Sequence, residues 1–136
     1  MRFVIDSNLL VSGIIKPNSL PAKVIEMAQK SGELCFSEET QSEIAEVISR
    51  NKFDRYEAKE TRIQRLNAIL RNATMVTIKN VYTIECRDPD DLKFLILAAE
   101  GKVDCICSGD ADLTILHPFR GIPILAPTEF IDWLHS

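Results

Sequence analysis

The 136-residue sequence is short of the residue patterns that several function classes require. It holds two histidines, His117 and His135, and neither lies beside a candidate nucleophile. Ser108 has no triad partner and no G-x-S-x-G context, so a hydrolytic triad is excluded. The four cysteines, Cys35, Cys86, Cys105 and Cys107, form no C-x-x-C pair and have no His-x-x-x-His nearby, which removes a zinc site. They read as reduced, core-sized hydrophobes. No stretch approaches 18 uncharged residues, and Asp6 interrupts the start before a signal-length apolar run forms, so a cytoplasmic protein is expected. Repeats, low-complexity tracts and linkers are absent, and one domain spanning 1–136 is expected. Positive charge is not in excess either. Sixteen Lys and Arg against 20 Asp and Glu leave a formal charge of -4, which argues against a uniformly basic nucleic-acid coat.

What is present alternates. Phe3-Val4-Ile5 is a short apolar run closed by the polar loop Asp6-Ser7-Asn8, and Leu20 to Ala28 has helical spacing ended by Ser31-Gly32. Leu34-Cys35-Phe36 reads as a strand. Ser37 stands as the N-cap of a helix from Glu38 to Arg50 with Ile44, Val47 and Ile48 as its stripe. A third helix, Arg55 to Asn72, is expected to bury Tyr56, Ile63, Leu66 and Leu70. Met75–Ile78 reads as a strand, Asp88-Pro89-Asp90 as a turn, and Asp91 to Glu100 as a helix ended by Gly101. Val103 to Cys107 is a buried strand followed by a short helix. Ile122–Leu125, held to a sheet edge by Pro123, precedes a last helix opened by Pro127. Strands alternating with helices imply parallel βαβ units around a helix-flanked sheet.

In such a sheet, sites form at the carboxyl ends of the strands. Those ends are acidic here. The first strand delivers Asp6 and Asn8, and the long apolar one delivers Ser108, Asp110 and Asp112. Glu43 lies roughly 90° from the centre of its helix's apolar stripe, against about 150° for Glu46, so Glu43 belongs at the edge of the core. Capping offers a plainer account of several of these acids. Thr40 and Glu43 have capping-box spacing, although Ser37 is better placed, and any of Asp88, Asp90, Asp91 or Asp110 taken alone is explained by a helix start. Capping does not explain why Asp6, Glu43, Asp91, Asp110 and Asp112 are all expected at one end of one sheet. Two carboxylates about 5 Å apart repel by roughly 3 kcal/mol at an effective dielectric near 20, so a convergence of them calls for protons or cations. Oxygen donors without His or Cys select Mg²⁺ or Mn²⁺, whose natural partner is a phosphate and whose natural chemistry is phosphodiester hydrolysis.

Four segments, Phe3-Val4-Ile5-Asp6-Ser7-Asn8, Ser42–Val47, Asp88–Leu95 and Ser108–Leu113, resemble the signature segments of PIN-domain proteins in their order. The chain is most similar to the toxin components of prokaryotic toxin-antitoxin systems. The resemblance implies an α/β fold, a three-layer α/β/α sandwich with a central, mostly parallel sheet. It also implies a metal-dependent endoribonuclease acting on single-stranded RNA, a homodimer, and a small antitoxin partner. By position, Asp6, Glu43, Asp91 and Asp110 match the family's catalytic and metal-binding acids. Asp112 matches an additional metal-site acid, and Asn8 and Ser108 match supporting polar residues. Related sequences often carry Asn after the third acid, where this chain has Leu92.

The charge is unevenly spread. Between Arg50 and Arg71 seven basic and three acidic residues give +4, which leaves -8 for the remainder. Arg55, Lys59 and Arg62 share a helical face with Arg65 close by, a stripe able to track RNA phosphates. A solvated face laced with Glu57 and Glu60 is the plainer alternative. Tyr56 is assigned to the apolar stripe, not to base stacking. Two rival functions stand beside the nuclease: a PIN-like module that binds RNA or protein without cleaving, and a phosphotransferase with Asp6 as the phosphorylated residue. For the latter the D-x-D-x-T/V pattern is absent.

Overall fold

A parallel strand covered on both faces has to be apolar at every position. Phe3, Val4 and Ile5 meet that requirement, none more than 4% exposed. They belong to β1 (Arg2–Ile5), the middle strand of the sheet in the computed structural model, which describes residues 1–136. With β2 (Glu33–Phe36), β3 (Thr74–Met75), β4 (Cys105–Cys107) and β5 (Ile124–Leu125) it forms the order β3-β2-β1-β4-β5, every pairing parallel. Strand alternation divides the core. Phe3, Ile5, Leu34, Phe36, Cys105 and Cys107 face a layer built from α1 (Ser7–Ile15), α2 (Leu20–Ser31), α3 (Glu38–Ile48), α4 (Lys59–Arg71) and α7 (Pro127–His135). Val4, Cys35 and Ile106 face α5 (Leu92–Gly101) and Leu113 of α6 (Ala111–Thr114). The result is the three-layer α/β/α arrangement.

The chain leaves β1 toward β2 on one side and returns to β4 on the other, so the strand order reverses between β1 and β4. That is where a doubly wound sheet opens a crevice at its carboxyl edge. Pro123 precedes β5 at the sheet edge, where its carbonyl still accepts from Ile106 N at 2.9 Å.

Three elements differ from the sequence expectation. Ser7 and Asn8 are not loop residues: they open α1, whose Leu9, Leu10, Val11, Gly13, Ile14 and Ile15 are all buried. A helix buried over most of its surface keeps only a narrow polar edge, here Asn8 and Ser12, which is too little for periodicity to reveal it. The strand expected at Met75–Ile78 pairs with β2 only through Thr74 and Met75, with one further bond from Val76 N to Phe36 O. The third helix starts at Lys59 instead of Arg55, after a 3-10 turn at Asn51–Phe53, and Tyr56 is about half exposed.

The basic stripe also requires correction. Arg62 is fully buried. Its guanidinium donates to the carbonyls of Ile48 (2.8 Å), Arg50 (3.1 Å) and Glu57 and pairs with Asp54 at 3.0 Å, which closes the 49–58 connection onto α4. A connection leaving a helix has carbonyls that must find donors, and five guanidinium N–H groups supply them. Arg65 is half-buried, donating to Ile14 O at 2.8 Å and pairing with Glu57 at 3.0 Å. Neither side chain is free to follow a phosphate backbone; Arg55 and Lys59 alone of the four are exposed. Replacing Arg62 by Ala strands those carbonyls and is expected to cost about 3 kcal/mol or more in urea unfolding, against about 0.5 kcal/mol or less for Lys59→Ala. A loss below about 1 kcal/mol at Arg62 would contradict this account.

Candidate metal centre

The carboxyl edge between β1 and β4 carries the acids. Asp6 follows β1 and caps α1: its Oδ1 accepts from Leu9 N at 2.8 Å. Its Oδ2 accepts a short hydrogen bond from Ser108 Oγ, and Ser108 is itself fully buried. Ser108 Oγ accepts in turn from Asp110 N at 3.0 Å, while Asp110 Oδ1 caps α6 through Asp112 N at 2.9 Å. Burial pushes the Asp6 carboxyl above its ordinary range, against the opposing pull of Ser108 and Leu9.

Glu43 and Asp91 arrive from the two helical layers. The capping box of α3 is made by Ser37 and Thr40, so the spacing of Thr40 and Glu43 is not used for a cap. Glu43 instead accepts from Ser7 Oγ at 2.7 Å through one oxygen and meets Lys93 Nζ at 3.2 Å through the other. Asp91 makes no cap hydrogen bond at α5, because Asp88 takes the cap of the preceding 3-10 turn, accepting from Asp90 N at 3.0 Å. Asp91 is buried, and its Oδ2 has no hydrogen-bond partner. Burial, with Asp110 beside it, raises its pKa from 3.8 to about 7.

Asp6, Asn8, Glu43, Asp91 and Asp110 line one cavity of about 180 Å³ with Ser7, Asp88, Asp90 and Phe94. Ser108 lies behind it. Asp112 lies to one side, forming with Asp88 and Asp110 a group whose carboxylate oxygens are within 4.8 Å of one another, and pairs with Arg87 at 2.9 Å. A larger groove of about 840 Å³ has Lys93 in its wall. Of the expected RNA-binding cations, Arg55 lies elsewhere, stacked on Tyr56 with its carbon Cζ 4.8 Å from the ring centroid, and His117, set aside as a catalytic group, accepts from Ile124 N at 2.9 Å.

A hard divalent ion fits this donor set. The lining acids offer oxygen only, and an orphaned buried carboxylate oxygen among like charges is the kind of atom a cation satisfies. Sequence reasoning missed Ser7, Lys93 and Arg87. For Lys93 a signal existed, since it is the single charge between Leu92 and Ala99 in an otherwise apolar run.

The chain matches known proteins in sequence and in fold. A family model described as PIN domain matches residues 2–112. The chain belongs to the PIN domain family. It is 30% identical over 141 residues to the uncharacterized protein MJ1680 of Methanocaldococcus jannaschii, covering 97% of this chain and 90% of that protein. Its fold is shared with a chain of the crystal structure of VapBC2 from Rickettsia felis bound to a DNA fragment from their promoter. There the TM-score is 0.63 at 12% identity, over 93% of this chain and 98% of the matched one. No helix of this PIN domain is long and apolar enough to cross a membrane.

The raised pKa of Asp91 gives a stability test. Between about pH 4 and about 7 the folded PIN domain holds a proton at Asp91 that the unfolded chain has released, so this group's contribution to stability falls as pH rises through that window. In chelator-treated protein the loss of melting temperature from pH 5 to pH 8 is expected to be larger for the parent than for Asp91→Asn. Equal slopes would place the Asp91 carboxyl in its ordinary range.

Proposed function

We propose that this PIN domain is a Mg²⁺- or Mn²⁺-dependent endoribonuclease that hydrolyses single-stranded RNA as the toxin of a toxin-antitoxin pair. The observation that carries the reading is the buried, unpartnered Asp91 Oδ2 in a cavity lined by Asp6, Glu43 and Asp110. Asp6, Glu43, Asp91 and Asp110 are the residues that would hold the ion, and Asp112 the residue at a second position. When bound, the ion lowers the pKa of a water and neutralises charge developing on the phosphate.

The chain's own groups do the positioning. Ser108 fixes the Asp6 carboxylate and the Asp110 backbone together. Asn8 is exposed on the cavity wall, where its amide can meet a phosphate or sugar oxygen. Water attacking the phosphorus in line expels the 3′-oxygen, giving a 5′-phosphate and a 3′-hydroxyl. No histidine lines the cavity to drive attack by the 2′-hydroxyl. Of the four cations expected in the stripe, Arg55, ahead of α4, and Lys59, at its first position, are the exposed ones left to meet RNA. The toxin assignment draws on the sequence resemblance and on the fold shared with a VapBC2 chain. It implies a homodimer in the cytoplasm and a small antitoxin that brings a basic side chain to the acidic cavity.

Cleavage of a defined single-stranded RNA should require Mn²⁺ or Mg²⁺, vanish with EDTA and leave 5′-phosphorylated products. Asp6→Asn and Asp110→Asn are each expected to lower the rate at least about hundredfold, or about 2.7 kcal/mol of barrier. Parental rates in these variants would overturn the mechanism, and RNA binding without any metal-dependent product would favour the non-cleaving binding module.

A further inference from the structure

Lys93 stands where α5 meets α3. Its side chain is only 13% exposed, its ammonium lies 3.2 Å from Glu43 Oε1, and Nζ is 5.7 Å from the centroid of the Phe94 ring. Glu43 is its one ion-pair partner, and the opposite Glu43 oxygen is already engaged by Ser7 Oγ at 2.7 Å. A lysine on a solvated face would extend into water, because ordering four methylenes around an ion pair costs side-chain entropy. Here the stem is enclosed and the charge is aimed at an acid of the candidate centre.

We propose that Lys93 is a tethered counter-cation that competes with a divalent ion for Glu43 and so sets how tightly the centre holds that ion. The inference rests on the metal-dependent reading above. A divalent ion entering the cavity must either take Glu43 from the ammonium or bind with a like charge close by. Both oppose binding, and in a half-buried site water screens the opposition poorly. Lys93 is therefore a positioning residue: it holds Glu43 in place and partly neutralised in the metal-free protein, and it weakens the centre's grip on the ion. Arg87 is the internal control. It pairs with Asp112 at 2.9 Å, but the two side chains are 58% and 40% exposed, so solvent screens that pair.

Mn²⁺ binding to the chelator-stripped full chain, followed by titration calorimetry, tests this without any nuclease readout. Lys93→Met is expected to tighten Mn²⁺ binding at least about fivefold, equal to about 1 kcal/mol, whereas Lys93→Arg and Arg87→Met stay within about twofold of the parent. In a Glu43→Gln background the Lys93→Met effect should shrink below about twofold, because the contested carboxylate is gone. Lys93→Gln provides a second neutral variant, and circular dichroism identifies those that fold. Folded neutral variants that bind Mn²⁺ no more tightly than the parent overturn the counter-cation role while leaving the metal centre standing. A parent that takes up no Mn²⁺ overturns both.

Discussion

The Ser108 hydroxyl is the joint on which the site depends. It is fully buried between two strand ends, donating to the carboxylate after β1 and accepting from the backbone amide of Asp110 after β4. One side chain thereby sets the spacing of two acids more than a hundred residues apart in sequence. The joint works because β1 and β4 are neighbours in register, Ile5 opposite Cys107, so both strands end at the same level. The sheet carries the like charges to one place, and the hydroxyl fixes the geometry in which they stand.

Around that joint, the protein satisfies most of its acids by ordinary means. Asp6, Asp88 and Asp110 each spend an oxygen on a backbone amide at a helix start, and Asp112 and Glu43 borrow a cation. A cap therefore does not rule out a second role for the same residue. A carboxylate has two oxygens, and a cap uses one while orienting the other. Asp91 departs from the pattern, with a buried oxygen that no protein group answers.

Much of this was legible in the sequence, and the exceptions have physical reasons. Strand ends are marked by an abrupt change from apolar to acidic, so Asp6 and Asp110 could be placed without coordinates. The angle of Glu43 against Ile44, Val47 and Ile48 anticipated a half-buried acid, and Pro123 anticipated an edge strand. Arg62 was misread because helical spacing assigns a face without telling what covers it: the 49–58 connection folds back over that face and turns a surface charge into an internal one. Tyr56 failed in the opposite direction, since the helix starts after it. The pairing of Lys93 with Glu43 joins two layers that no local pattern connects.

The arrangement of thiols has a use of its own. Cys35 in β2 and Cys105 and Cys107 in β4 are buried in the two strands that flank β1, and burial pushes the Cys105 thiol up to about 12 and Cys107 further. Thiols held so far from ionisation are poor nucleophiles until the sheet opens. Cys86 is only partly buried, on the segment leading to Asp88, with its Sγ 3.2 Å from the Asp88 carbonyl. The native sequence thus carries two built-in clocks for alkylating reagents. A fast one reads local breathing beside the acidic cavity, and a slow one reads opening of the sheet itself.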